Sequence, residues 1–282
     1  MRFEDFAKSH GLVIDSTIPF RWISTATTDH PRKRNGRYKF MGDVGWVQNW
    51  ATMEKPALWR MDGKFSLSPE LLRERNSAFG QRQRLADKAA AKAGWIMHQT
   101  KNDLHPYLTA KGFPEEEASV WVKDDKKLIV IPMRISGKLV GCQLIDEQGQ
   151  KKFLYGQITK GASFTFDAKG IPIFCEGFAT ALSIQAVMRA NKIPYRIEVC
   201  FSASNLQEIV ARYPVGFIVA DNDPNGIGET AAKKTGKPYW ISDTIGEDFN
   251  DYHKRVGSFK ASQSLKKTYI VSSSSKTELQ SA

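Results

Sequence analysis

The sequence predicts an α+β N-terminal region followed by an α/β domain on a parallel sheet of about four strands. Three observations carry that prediction. Residues 171 to about 256 alternate strand and helix, the order of a parallel sheet with right-handed crossovers. Two acidic strings, Cys175-Glu176-Gly177-Phe178-Ala179-Thr180 and Asp221-Asn222-Asp223-Pro224-Asn225-Gly226, each follow an apolar run that reads as a buried strand. The preceding part, by contrast, carries short period-two runs broken by turn residues, the pattern of antiparallel strands.

Taken in order, residues 1–65 read as a basic, aromatic, β-rich module. Asn35-Gly36 is a hairpin turn signal, and Tyr38 and Phe40 alternate after it. Arg32, Lys33, Arg34 and Arg37 stand among aromatic residues, a combination that can hold a phosphate backbone while rings stack on bases. The same rings could equally form a small core, since large rings usually go inside. Residues 66–100 read as a long helix acting as a linker, with Ser68 as N-cap, Pro69 in the first turn and an apolar stripe through Leu72, Phe79, Ala86 and Ala93.

Residues 101–165 predict a short helical turn near His105–Gly112 and then an antiparallel meander over 128–133, 139–145 and 152–155. Its basic residues, among them Lys127, Arg134, Lys151 and Lys152, would form a positive wall facing the acidic strings. Within 166–257 the expected strands are 171–175, 196–201, 215–220 and 238–242, separated by helices 179–190, 205–212 and 227–235, with a last helix from about 249. Residues 258–282, with Ser272-Ser273-Ser274-Ser275, read as a Ser-rich flexible tail.

The 282 residues carry 41 Lys plus Arg against 30 Asp plus Glu, a net charge of +11 that favours a polyanionic partner, most simply nucleic acid. The three cysteines, Cys142, Cys175 and Cys200, lie apart inside apolar runs, which fits buried thiols in a reducing compartment. There is no C-x-x-C pair, so no cysteine zinc ribbon is expected and zinc is not an expected cofactor. The first residues lack a signal-peptide layout and nothing approaches a membrane span, so the expected location is the cytoplasm.

The acidic strings carry the chemistry. Ligands of open parallel sheets bind at the carboxyl ends of the strands. Glu176, Asp221 and Asp223 fall at such ends, and a third string, Gly246-Glu247-Asp248-Phe249-Asn250-Asp251, follows the last strand. Carboxylates gathered there repel one another unless a cation lies between them, and hard oxygen ligands suit magnesium. Crowding also raises a carboxyl toward neutrality, which fits Glu176 for acid–base work. Asp251 reads as a helix cap and Glu247 as a loop charge. Asp221-x-Asp223-x-Asn225-Gly226 opens like an EF-hand loop, but Ala232 stands where the bidentate Glu is required. Neither a phosphate loop nor a nucleophile elbow is present.

These strings resemble the Toprim domain of topoisomerases, primases and related nucleases. Glu176-Gly177-Phe178-Ala179-Thr180-Ala181 and Asp248-Phe249-Asn250-Asp251 are most similar to phage- and plasmid-encoded primases. Lys33-Arg34-Asn35-Gly36-Arg37-Tyr38, Trp46-x-x-Asn49-Trp50, His105-Pro106-Tyr107-Leu108-x-x-Lys111-Gly112 and Ile131-Pro132-Met133-Arg134 extend the resemblance upstream, over roughly residues 20 to 255. It implies a primase that makes short RNA primers on single-stranded DNA from ribonucleoside triphosphates. Asp221, Asp223 and Asp248 would hold Mg²⁺ or Mn²⁺, with Glu176 assisting metal binding or proton transfer. Arg134, Lys152 and, more weakly, Lys127 would contact nucleotide or template.

The pattern departs from that group in one respect: many primases read a start site through a zinc ribbon, and no cysteine precedes Cys142. Residues 1–65 would then be a metal-free relic of that ribbon. No Walker sequence occurs, so a replicative helicase would be a separate chain. Two other readings share the acidic strings: a Toprim-type nuclease, and a non-catalytic single-stranded-DNA-binding or recombination scaffold.

Overall fold

The computed structural model of the protein describes residues 1–61, 69–167 and 169–279. The chain divides into two compact units, Met1–Arg84 and Leu85–Ala282.

The first unit opens with a short helix, α1 (Phe3–Ser9), and continues as four strands, β1 (Trp22–Thr25), β2 (Gly36–Phe40), β3 (Val44–Asn49) and β4 (Ala57–Arg60). They pair antiparallel in chain order. Alternation sends Tyr38, Val47 and Trp59 to one face, where they meet Phe3, Ala7 and Leu12 in a closed core. Gly45 is required there, because a Cβ would stand 2.3 Å from the Phe3 ring. The expected Asn35-Gly36 turn is not a turn. Gly36 lies inside the sheet, paired with Thr25 and Asn49, and Thr27 packs 2.7 Å from where its Cβ would be. The tight hairpin is instead at Gly42, whose φ is 101°.

Helix α2 is described over Pro69–His98; its expected Ser68 cap lies outside the described residues. Ala86, Ala89, Ala93 and Ile96 form a buried stripe at helical spacing, whereas Phe79, expected on the same stripe, is exposed. After it come β5 (Lys101–Asp103), α3 (Pro106–Ala110), β6 (Ala118–Lys123), β7 (Lys126–Ile135), β8 (Lys138–Ile145) and β9 (Lys151–Phe153). These five strands form one antiparallel meander in chain order, two strands more than the sequence reading gave. One face, through Trp121, Val130, Cys142 and Leu154, packs under the buried stripe of α2. So this half of the helix is built into the sheet's core and is not only a linker.

The remaining chain is β10 (Phe164–Phe166), β11 (Pro172–Cys175), α4 (Phe178–Ala190), β12 (Arg196–Val199), α5 (Ala203–Val210), β13 (Phe217–Ala220), α6 (Ile227–Lys234), β14 (Tyr239–Ile241) and α7 (Phe249–Leu279). Strands β12, β11, β13 and β14 are parallel in that order, with β10 antiparallel at one edge. Every residue of β11 and β13 is buried, which is why both read as unbroken apolar runs. Helices α4 and α7 cover one face through Ile184, Val187, Ala261 and Leu265; α5 and α6 cover the other through Leu206, Ile209 and Ala232. The second face of the meander, with Ile129, Ile131 and Ile145, closes on Phe178 and Leu182 of α4.

The flexible tail expected over 258–282 is corrected by packing only as far as Leu265; its last residues, 280–282, lie outside the described residues. Helix α7 breaks at Gly257 (φ 79°, ψ 162°) and then resumes as far as Leu279. Ala261 and Leu265 are fully buried and Ser264 accepts a hydrogen bond from the Trp240 indole at 2.8 Å, contacts that the serine-rich composition concealed. No helix among the described residues is long and apolar enough to cross a membrane.

Candidate functional site

The acidic strings gather at the carboxyl edge of the parallel sheet. Glu176 follows β11, Asp221 and Asp223 follow β13, and Asp248 precedes α7. Two loops are stitched together to achieve this. The Asn222 N–H donates to the Glu247 carbonyl at 3.2 Å, the Gly246 N–H donates to the Asn222 carbonyl at 2.6 Å, and Asn222 Nδ2 donates to the Ser242 carbonyl at 3.0 Å. The first turn of α6 presses against the same place. A Cβ on Gly228 would lie 2.2 Å from the Asp221 carbonyl oxygen, so no larger residue fits.

Glu247 is not the loop charge expected of it. It is buried, Arg255 donates to both its oxygens at 2.6 and 2.8 Å, and Ser242 also donates to it. Its carboxyl is held below the usual range first by the Arg255 hydrogen bonds, against the opposing effect of burial. The cap at the start of α7 is likewise Asp248 and not Asp251: Asp248 Oδ1 accepts from the Asp251 N–H at 2.8 Å. Asp251 instead faces Lys111 at 3.7 Å.

The electrostatics of this edge are those of crowded acids. Burial, then the charges of Glu176, Asp248 and Asp223, push Asp221 up to about 8. Its Oδ1 is shielded from solvent and has no hydrogen-bond partner. Burial, then Asp223, push Glu176 up to about 7, opposed by the Ala203 backbone N–H at the start of α5 and by Lys151. Among the described residues, no three His, Cys, Asp or Glu side chains already stand in a metal-ligand arrangement. The donor set nevertheless fits a hard divalent cation. A buried oxygen with nothing to bind, surrounded by carboxylates that raise it, lacks a positive partner.

No protein-family model matches the sequence.

Two residues not singled out among the expected contacts stand at this edge: Lys151, expected only as part of the positive wall, and Tyr107. Lys151 Nζ stands 3.9 Å from where a Cβ on Gly177 would be, and it lowers both Glu176 and Asp221. Tyr107, from the His105-Pro106-Tyr107 turn, has a buried, unpartnered hydroxyl and is pushed up to about 12 by burial and then by Asp248 and Asp251. Strand alternation was the available signal for Lys151. In β9, Lys151 and Phe153 share the face toward the acidic edge, where Phe153 meets Phe201 at 6.2 Å between ring centroids. Lys152 therefore points to the opposite face, with Lys92 and Leu154.

The other basic residues are likewise dispersed. Lys127 is taken up by Asp103 at 2.6 Å. Arg134, beside a bulge in β7, donates to the Gly137 carbonyl at 3.0 Å and lines a polar cleft with Arg196 and Arg212. The structure does not bring Arg134, Lys127 and Lys152 to one place.

The open face of the N-terminal sheet gathers a second constellation. Cross-strand pairing Trp22↔Lys39↔Trp46↔Leu58 and Ser24↔Arg37↔Gln48 puts these side chains on the face away from the Phe3 core. Arg37 lies over Trp22 at 4.5 Å and near Trp50 at 5.7 Å, anchored by hydrogen bonds of 3.0 and 2.8 Å to Gln48. Lys39 lies 5.9 Å from the Trp46 ring. Trp22 is 42% exposed and Trp50 47% exposed. The rings thus divide between the two roles: Tyr38 and Trp59 pack, Trp22 and Trp50 face solvent. Arg32, Lys33 and Arg34 are exposed in the loop before β2.

Proposed function

We propose that the chain is a DNA primase of the Toprim type, which makes short RNA primers on single-stranded DNA by metal-dependent nucleotidyl transfer. The observation that carries this reading is the acidic edge, with Asp221 Oδ1 buried and unpaired among three further carboxylates. A four-stranded parallel sheet with acids after its strands, preceded by a basic antiparallel meander, is the order expected of such an enzyme. The aromatic, basic face of the first unit supplies a sequence-tolerant seat for single-stranded template.

In this reading Asp221, Asp223 and Asp248 hold Mg²⁺ or Mn²⁺. A divalent ion there would neutralise charge on the triphosphate and on the attacking and leaving oxygens. Glu176, poised near 7, accepts the proton of the attacking 3′-hydroxyl as that oxygen bonds to the α-phosphorus and pyrophosphate departs. Lys151 steadies the phosphates at the same edge, and Asn222, Gly228 and Arg255 position the carboxylates. A replicative helicase is the natural separate partner.

The test is incubation of the protein with single-stranded DNA and labelled ribonucleoside triphosphates, in Mg²⁺ or Mn²⁺. Short template-dependent RNA is the expected product. Metal-dependent cutting of the template without synthesis would assign the edge to a nuclease. Template binding without either reaction, with the helicase supplied, would assign the chain to a scaffold.

A further inference from the structure

On the back of the meander, away from the acidic edge, a cleft of about 290 Å³ opens between the end of α2 and strands β6 to β9. Its inner wall is apolar: Trp121 and the side chains of Ile96, Leu144 and Leu154. Its rim is cationic. Lys92 comes from α2, Lys123 and Lys126 from the β6–β7 hairpin, and Lys152 from β9, against two acids, Asp124 and Asp146.

Of the two acids, Asp146 is held by backbone groups and Asp124 offsets only one rim lysine. Asp146 Oδ1 accepts the Gln148 and Gln150 backbone N–H groups at 3.1 and 2.8 Å. Asp124 sits in the hairpin turn with φ 50° and reaches only Lys123, at 3.9 Å. Among the described residues, Lys92, Lys126 and Lys152 have no ion-pair partner within 4 Å. Lys123 and Lys126 are also direct cross-strand partners. Like charges placed opposite each other destabilise a hairpin, and the ion pair of Lys123 with Asp124 relieves only one of the two lysines. The neighbouring Lys127, on the other face, already has Asp103.

We infer that this cleft is a second nucleotide site, separate from the acidic edge, which takes a nucleoside polyphosphate with its base against Trp121 and its phosphates on the lysine rim. An apolar, aromatic wall next to converging cations matches a ligand that is flat and apolar at one end and polyanionic at the other. The cleft is bounded by α2 on one side and by β9 on the other. Occupancy would thus tie α2 to the strand whose first residue, Lys151, faces the carboxylates. This inference does not rest on the polymerase reading, because binding is read without metal and without synthesis.

The experiment is calorimetric titration of the whole chain with ATP and, separately, with inorganic tripolyphosphate, in EDTA. Saturable binding of ATP is expected, weakened at least tenfold by Lys92→Glu combined with Lys152→Glu and unchanged by Lys138→Glu, an exposed lysine outside the cleft. Lys92 and Lys152 are both exposed, and equal melting temperatures would show that the double variant folds. ATP should bind at least tenfold more tightly than tripolyphosphate. Equal affinities would overturn the nucleotide assignment in favour of a bare anion site. Absence of binding, or binding indifferent to the lysine changes, would overturn the site itself.

Discussion

The backbone N–H of Asn222 donates to the carbonyl of Glu247 at 3.2 Å, and this bond sets the loop of Asp221 and Asp223 beside the loop of Asp248. The second loop is itself pinned, since Arg255 grips both oxygens of the buried Glu247. Removing the arginine leaves a buried carboxylate with only Ser242. Arg255→Ala should therefore lower the midpoint of urea unfolding, with Arg255→Lys intermediate because one donor point replaces a fork. A variant as stable as wild type would show that this ion pair is not what holds the loop.

The metal-free acidic edge should also give stability a definite pH dependence. Asp221 titrates at about 8 in the folded protein against an ordinary 3.8. Between those values the folded state keeps a proton that the unfolded chain has lost. The site's contribution is therefore full below pH about 4 and is lost as the pH rises through about 8. Glu176, at about 7, acts in the same direction over a narrower window. In EDTA at pH 8, Asp221→Asn should gain at least about 1 kcal/mol over wild type, and that gain should vanish near pH 4. A variant less stable than wild type at pH 8 would contradict the crowding of these acids.

Much of the second unit was legible in the sequence, and the reasons are local. Buried parallel strands such as Phe217–Ala220 are unbroken apolar runs, and their acids follow directly, so both strand and site are visible together. The side of the meander that faces the site depends on register, and one residue decides it. Lys151 and Lys152 are chemically alike, yet alternation sends only Lys151 to the carboxylates. The roles of Glu247 and Asp248 were hidden for a different reason: Arg255 and Asp251 act on them only once α7 has formed. The continuation of α7 past Gly257 was hidden because its buried contacts, Ala261 and Leu265, are sparse among serines and lysines.

Gly228 offers a change that is purely steric. Its backbone is not in the left-handed region, so alanine is disfavoured only by the 2.2 Å approach to the Asp221 carbonyl. Gly228→Ala should cost about 2 kcal/mol and displace Asp221, weakening cation binding together with stability. The control is Gly226→Ala, where φ is 65° but nothing lies within 4 Å: it should cost stability through backbone strain while leaving cation affinity near wild type. Equal loss of cation binding in both variants would argue against a specific clash at Asp221.

On the N-terminal sheet, Trp22→Ala and Trp50→Ala should each weaken single-stranded DNA binding by about 1–3 kcal/mol without lowering the melting temperature, because both rings face solvent. Trp59→Ala should do the reverse, since that ring fills the Phe3 core. Arg32→Ala and Arg34→Ala should act on phosphate contacts, reducing the slope of affinity against salt by about 1 each. Binding measured by fluorescence anisotropy at several salt concentrations separates these classes. Insensitivity to both tryptophans would remove the stacking role of this face.

Mn²⁺ binding followed by electron paramagnetic resonance, in wild type and Asp221→Asn and without nucleotide or template, probes the acidic edge alone. Wild type is predicted to bind the ion saturably at pH 8, with Asp221→Asn losing at least tenfold in affinity while remaining folded. Unchanged Mn²⁺ affinity in Asp221→Asn, or no binding by the wild type, would contradict the assignment of this edge as a cation-dependent catalytic site.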